Sequence, residues 1–332
     1  MRHRKMICLA LAGLVVLLTA VWISSSHAAV VLKGGHTGTP KNVMHLAMLR
    51  WSDLVKERTK GAVVIEVYPS EQLGNERTLI ENTNLGTIDW CVSGSGGAAR
   101  FVPAFGMFEN AYTFQTPKHF ENVAFNRAFM QQMSDLLEQK SNMLLGGFLW
   151  LGNRSLLSKN PVQKPEDAKG MKLRVPDVPT YKVVAYAIGA IPSPLPFGET
   201  YMALKQGVVD AVEGTPENMI NMKFFEAAKN YTLTNHIIQA AAVYINKPGF
   251  AKKLTQDQQK IVIDSAYEAW RWCFEQIDAV QKDFLKKLGE AGVNVITPPS
   301  IEPFRQRAVE QLREKYIPEW GKYWEEFSAF AK

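Results

Sequence analysis

From Thr255 to about Gly289 the chain carries one unbroken helical pattern, with no proline and no interior glycine. Thr255 and Gln258 open it as a T-x-x-Q capping box, in which each residue bonds the other's backbone N–H. At ~1.5 Å per residue, some 35 residues extend about 50 Å. That is longer than a small domain is wide, so the pattern predicts a helix spanning two domains. The 332 residues suit about two domains of ordinary size.

Before this helix, strand and helix signals alternate. Val30 to Gly34 is short and β-branched. Lys41 to Lys60 is amphipathic, with Pro40 at its start and Gly61 at its end. Ala62 to Tyr68 is a strand, Asn75 to Leu85 a helix stopped by Gly86, and Ile88 to Val92 a third strand. This β-α-β-α-β order predicts an α/β fold with a parallel sheet covered on both faces. Ser93 to Phe114 is irregular, Pro117 to Gln139 reads as one helix, and Met143 to Trp150 as a buried strand. The pattern then restarts. Strands are expected at Arg154 to Ser158, Lys172 to Val175 and Val208 to Val212, and an extended stretch at Tyr231 to Ile245. Helices are expected at Pro179 to Ile188, Thr200 to Gln206 and Pro216 to Lys229. A last helix covers about Pro303 to Phe330, broken near Pro318.

The first residues read as an address. Arg2, Arg4 and Lys5 precede an apolar run from Ile7 to Ile23, followed by the small-residue exit S-S-S-H-A-A-V. A basic head, an apolar middle and a small-residue exit predict a secretory signal peptide over 1–28, cleaved after Ala28. The alternative is an uncleaved anchor, since 17 apolar residues approach the length of a membrane span. Removing 1–28 takes away the three cations, so the formal charge drops from +6 to +3. No run of five like charges remains, and with export this argues against nucleic acid as a partner. With 46% hydrophobic and 21% charged residues the chain is not mainly disordered. Cys91 and Cys273 are the cysteines left after cleavage, and they are read as buried free thiols although export would permit a bond.

Enzyme signatures fail in turn. Ser93-Gly94-Ser95-Gly96-Gly97 is not a G-x-S-x-G elbow, and no lysine follows these glycines to make a phosphate loop. His36, His45, His119 and His236 show no metal-ligand spacing. No catalytic residue, metal or cofactor is expected.

Four segments carry specific information: 68–90 with Q-L-G, 152–204 with P-E-D-x-K-G-x-K-x-R-V-P, 205–220 with Q-G-V-V-D-x-x-E, and 254–266. Together they resemble the solute-binding proteins of tripartite ATP-independent periplasmic (TRAP) transporters, the DctP-like family, over nearly the whole chain beyond Gly35. The resemblance implies a two-domain Venus-flytrap fold with a domain-bridging helix and an organic-acid ligand in the interdomain cleft. It implies a periplasmic location, a monomer, and a membrane permease as partner. The expected division is domain I over 29–152 with 241–254 returning to it, domain II over 153–240, the bridging helix over 255–290, and a helical segment over 291–332.

The resemblance also assigns roles. The arginine of R-V-P, Arg174, is expected to grip the ligand carboxylate. A guanidinium fork matches a carboxylate bidentately and stays charged in a closed cleft. The alternative is a structural ion pair with an acid such as Asp177. Arg154 occupies the place of a second family arginine that assists the ligand's polar groups. Phe197, in P-F-G-E-T-Y, stands where an aromatic ring packs on the ligand. Many members read E-N before the T-P step, the asparagine touching the carboxylate. Here Glu213 is followed by Gly214, which has no amide to offer, and this puts a standard C4-dicarboxylate in doubt. Glu213 itself is a candidate for a ligand hydroxyl or amine.

From the residues themselves, Ser93 and Ser95 lie in a small-residue loop whose N–H groups are free to approach a ligand. Trp90, Trp150 and Tyr112 fall near strand ends, either lining the cleft or packing in the core. His36 and His236 are further polar candidates. The alternatives to a transport role are an exported ligand-sensing subunit of the same fold and, from another class, a secreted hydrolase.

Overall fold

The computed structural model describes residues 28–178 and 180–331. The basic head, the apolar run and most of the expected signal segment fall outside these residues. Among those described, no helix is long and apolar enough to cross a membrane.

Among the described residues nine strands form one sheet: β1 (Val30–Gly35), β2 (Val63–Tyr68), β3 (Trp90–Gly94), β4 (Met143–Ser158), β5 (Lys172–Val175), β6 (Ile191–Pro194), β7 (Ala211–Gly214), β8 (Asn230–Asn246) and β9 (Asn294–Ile296). The order is β2-β1-β3-β8-β4-β7-β5-β6, with β9 paired to β8. Two parallel arms are visible. In the first, β1 pairs with β2 and β3. In the second, β5 pairs with β6 and β7. Between them β4 and β8 run antiparallel through both arms. The expected parallel pairing therefore holds within each arm and gives way to antiparallel pairing at the centre.

The sequence predicts two strands where β4 is one. The interruption it detects is real but local. Leu151-Gly152-Asn153 lies where the β4–β8 register shifts, between Trp150 and Asn153. Gly152 has φ +98° and Gly147 φ +111°, values that L side chains rarely adopt, so glycine carries the strand through both bends. The expected domain bounds at 152/153 and 240/241 fall inside β4 and β8, so the chain crosses between the arms there without leaving the sheet.

The long helix covers Gln256–Glu290, and the Thr255–Gln258 capping box forms as predicted. It lies against β4. Trp270 Nε1–H donates to the Gly146 carbonyl at 2.9 Å, and the Gln281 side chain accepts from the Asn153 N–H at 2.6 Å. Val262 to Ile277 pack in the main core, whereas Leu288 joins a smaller cluster with Leu157, Leu204 and Val212. Trp51 stacks edge-on between Trp90 and Trp270, at 5.2 and 5.6 Å between ring centroids. Aromatic packing of this kind adds to the burial of large apolar area.

Some elements differ from expectation. The 117–139 helix is two, Pro117–Ala124 and Arg127–Glu138, because Asn126 caps the second through the Phe129 N–H. The helix after Pro216 stops at Asn221, where Lys223 takes a left-handed conformation with φ 57°. In the C-terminal segment the break falls at Gly321 rather than Pro318, which sits harmlessly in the first turn of a short helix. Cys91 and Cys273 are both buried and free.

Candidate functional site

A cavity of about 70 Å³ lies where the two arms meet. At ~10–15 Å³ per water it has room for several waters, the scale of a small organic molecule. From the second arm it is lined by Arg154, Arg174, Tyr181, Phe197, Asn218 and Glu217, among others. Opposite them stand Glu76, Ser93, Gly94 and Glu109 of the first arm.

Two buried arginines have different surroundings. Arg154 leaves β4 towards the neighbouring β7. Its Nε–H donates to Glu213 Oε2 at 2.5 Å and an Nη2–H to Oε1 at 2.5 Å, with a further bond to the Glu213 carbonyl at 3.2 Å. This is the bidentate fork. His236 Nε2 stands 3.3 Å from the same carboxylate, and its Nδ1 meets Thr234 Oγ1 at 2.8 Å. Burial alone would raise the Glu213 carboxyl, but Arg154 and His236 outweigh it and bring the group to about 2. Burial opposes the charge on Arg154 as well, and Glu213 more than restores it, so its affinity for the proton is raised. His236, sealed from water, is held below the usual imidazole range despite Glu213.

Arg174 sits at the carboxyl end of β5 with 2% of its surface exposed. Its Nε–H and an Nη2–H both donate to one acceptor, the Leu195 carbonyl, at 3.0 and 2.7 Å. Among the described residues no carboxylate forms an ion pair with it. Asp177, the alternative partner read from the sequence, pairs with Arg77 at 3.4 Å instead. Burial lowers Arg174 to about 10, with Glu213 holding it up in part and Arg154 pressing it further down. It remains a cation at neutral pH, buried with spare donors beside a cavity. The Phe197 ring lies over it, 5.6 Å from the guanidinium carbon.

The small-residue loop does something other than expected. Two of its N–H groups are taken by the chain's own carboxylates. Gly94 N–H and Ser93 Oγ–H both donate to Glu76 Oε1, at 2.6 and 2.8 Å. Gly96 N–H donates to Glu109 Oε2 at 2.9 Å, and Tyr181 Oη–H to Oε1 at 2.9 Å. A Cβ on Gly94 would stand 2.2 Å from that same Oε2, so glycine is needed for the carboxylate to come this close. Burial, followed by neighbouring Glu76, pushes Glu109 up to about 8, against the pull of Arg154 and its two donors.

The structure thus brings Arg174, Arg154, Phe197 and Ser93 to one cavity and places the other candidates elsewhere. Glu213 is enclosed behind Arg154, its oxygens already bonded. Gly214 lies off the lining, its carbonyl accepting from Tyr231 Oη–H at 2.8 Å. Ser95 is fully buried, its carbonyl bonded to Tyr244 Oη–H at 3.0 Å. Trp90 donates to the Leu32 carbonyl within the core. Trp150 packs against Phe120 and Phe274. Tyr112, with φ 58°, donates to the Thr234 carbonyl. All three therefore serve packing, because strand ends near the cleft also border the core. His236 supports Glu213 rather than the cavity. His36 bonds His45 at 3.0 Å, and burial, then His45, lower it to about 3.

Sequence reasoning misses Glu76, Glu109, Glu217, Tyr181 and Asn218. Only Asn218 has a local signal. It is the third residue after the Thr215 cap, to whose hydroxyl its N–H donates, and its amide nitrogen lies 3.6 Å from where a Gly214 Cβ would be. Its amide stands on the cavity wall beside the position where Gly214 has none.

Comparison with known proteins accords with this arrangement. Residues 34–319 match the model of bacterial extracellular solute-binding proteins, family 7. The chain is 30% identical over 299 residues, 90% of each chain, to the 2,3-diketo-L-gulonate-binding periplasmic protein YiaO of Escherichia coli. It is 29% identical to the C4-dicarboxylate-binding periplasmic protein of Rhodobacter capsulatus, covering 72% of this chain and 71% of the other. A TRAP periplasmic solute-binding protein from Ochrobacterium anthropi, solved with bound L-fuconate, superimposes with a TM-score of 0.84 at 28% identity, covering 92% of this chain and all of that one. The chain belongs to the family 7 extracellular solute-binding proteins, the organic-acid-binding components of TRAP transporters.

Proposed function

We propose that the protein captures an organic-acid anion in the periplasm by pairing its carboxylate with Arg174, and hands it without chemical change to a membrane permease. The observation that carries this is Arg174 itself: a buried cation with spare donors, no carboxylate partner among the described residues, and a cavity beside it. A buried charge without a counter-ion is costly, and a ligand carboxylate supplies one. The family relatives bind carboxylates as their names state.

The same reading assigns the motion. The arms swing as domains about β4 and β8, whose bends at Gly147 and Gly152 and register shifts lie between them. Hinge closure of this kind encloses a ligand between domains. Contacts that cross the cleft hold the closed form: Val43 N–H to Glu217 at 2.8 Å and Arg77 to Asp177 at 3.4 Å. A signal peptide over 1–28 delivers the chain, and a monomer suffices because both walls of the cavity come from one chain.

Thermal-shift screening of carboxylates followed by calorimetry tests the reading. A ligand at 100 times its Kd adds about 2.7 kcal/mol to stability. Arg174→Ala is expected to abolish that gain. Equal affinity in wild type and variant would overturn the assignment.

A further inference from the structure

The cavity carries more acid than its single available cation can answer. Three carboxyl side chains line it, Glu76 and Glu109 from the first arm and Glu217 from the second. Among the described residues the only Lys, Arg or His side chains on the lining are Arg154 and Arg174, and Glu213 already neutralises Arg154. Arg174 therefore has to answer for everything negative that enters.

Resting on the assignment of Arg174 to the ligand carboxylate, we infer that the cavity selects a monocarboxylate whose far end carries hydrogen-bond donors, chiefly hydroxyls, and rejects a second carboxylate. Glu76, Glu109 and Glu217 are the residues that discriminate.

Each of the three is fixed in place by the chain's own donors and is not free to turn away. Glu76 takes the Gly94 N–H and Ser93 hydroxyl on one oxygen, leaving Oε2 without a bond from the described residues. Glu109 is held by Gly96 and Tyr181. Glu217 Oε1 receives the N–H of Val43, the first residue of the Val43–Arg58 helix. Gln239, also on the lining, has a buried side-chain oxygen with no partner. Glu76 Oε2 and the Gln239 oxygen are acceptors awaiting donors. A hydroxyl satisfies them at no charge cost. A second carboxylate offers only lone pairs and negative charge, and like charges in a site shielded from water repel strongly. Burial, and then Glu76, raise Glu109 to about 8, so the lining already keeps one of its own acids protonated at neutral pH; burial raises Glu217 as well.

Discrimination of this sort is a difference of two affinities, built here from a repulsive wall as much as from the attractive arginine. It divides a family whose members include both diketogulonate and C4-dicarboxylate binders.

The test is calorimetry of wild type, Arg174→Ala and the double variant Glu76→Gln/Glu217→Gln against matched pairs on four- to six-carbon skeletons. Each pair sets a hydroxylated monoacid against its diacid: galactonate with galactarate, and 4-hydroxybutyrate with succinate. At least one monoacid is expected to bind at least 100-fold tighter than its diacid, and the double variant to narrow that gap at least tenfold. Circular dichroism checks that both variants are folded. A diacid that binds as tightly as its monoacid, with binding lost in Arg174→Ala, overturns the discrimination and leaves the arginine assignment standing. Monoacid binding that survives Arg174→Ala overturns the assignment beneath it. An unchanged gap in the folded double variant, or no monoacid binding at all, also overturns the inference.

Discussion

Arg154 and Arg174 are both almost fully buried and face the same cavity. They differ in what surrounds them. Arg154 lies in a closed network, its fork filled by Glu213 and that carboxylate shared with His236. Arg174 has a carbonyl and an aromatic face. The contrast teaches that burial alone does not separate a structural cation from a binding one. On the proposed reading satisfaction does: the paired arginine holds β4 to β7, whereas the one with no ion pair among the described residues is completed by a ligand carboxylate.

Each substitution that breaks one side of this contrast has its own signature. Arg154→Met strands the Glu213 carboxylate in the interior, and breaking a buried pair in this way costs about 3–5 kcal/mol. Chemical denaturation is expected to show that loss, and Arg154→Met combined with Glu213→Leu to recover part of it. Arg174→Met removes a buried cation that has no partner, so the ligand-free Tm is expected to hold or rise. Ligand affinity falls by about 2–5 kcal/mol, as expected for truncating one side of a buried charge pair. The two methionine variants thus exchange phenotypes, one losing stability and the other binding.

Titration sharpens the same contrast. Glu213 is depressed to about 2, so its stabilisation is complete above the unfolded carboxylate range near ~4.3 and drains away as pH falls through about 2. Glu109 is raised to about 8 and works in the opposite sense. Its contribution is complete below the unfolded value and is lost as pH rises through about 8. Urea unfolding across pH 5 to 9 is expected to show wild type losing stability relative to Glu109→Gln as pH increases. A parallel pair of profiles would refute the burial of Glu109 as an acid without a counter-ion.

The smallest effect belongs to the cross-cleft contact. Glu217→Gln keeps an acceptor for the Val43 N–H but removes the charge at that helix N-terminus, a change of about 0.3–1 kcal/mol. Stopped-flow dissociation of a bound monoacid is expected to quicken by a few-fold, with the ligand-free Tm nearly unmoved.

Much of this molecule was legible from its sequence where the signal was local or repeated. The unbroken run after Thr255 and its capping box gave the long helix almost to the residue. Arg174 and Arg154 stood out because their motifs resemble a family pattern. The acidic wall stayed hidden for a physical reason. Glu76, Glu109 and Glu217 are far apart in the chain and share no spacing, and only the approach of the two arms places them together. The glycines of 93–97 read as open to a ligand, since sequence shows that backbone N–H groups are accessible but not which acceptor reaches them first. Trp90, Trp150 and Tyr112 were ambiguous for a similar reason: an aromatic ring at a strand end suits a cleft and a core equally well.

The most direct measurement is a crystal structure of the protein with the carboxylate that co-purifies or binds most tightly. The account predicts the ligand's carboxylate on the free guanidinium edge of Arg174, beneath Phe197, with the Arg154–Glu213 pair undisturbed and hydroxyls towards Glu76 and Glu109. A carboxylate seated on Arg154 with Glu213 displaced, or one that leaves Arg174 without a partner, would contradict it.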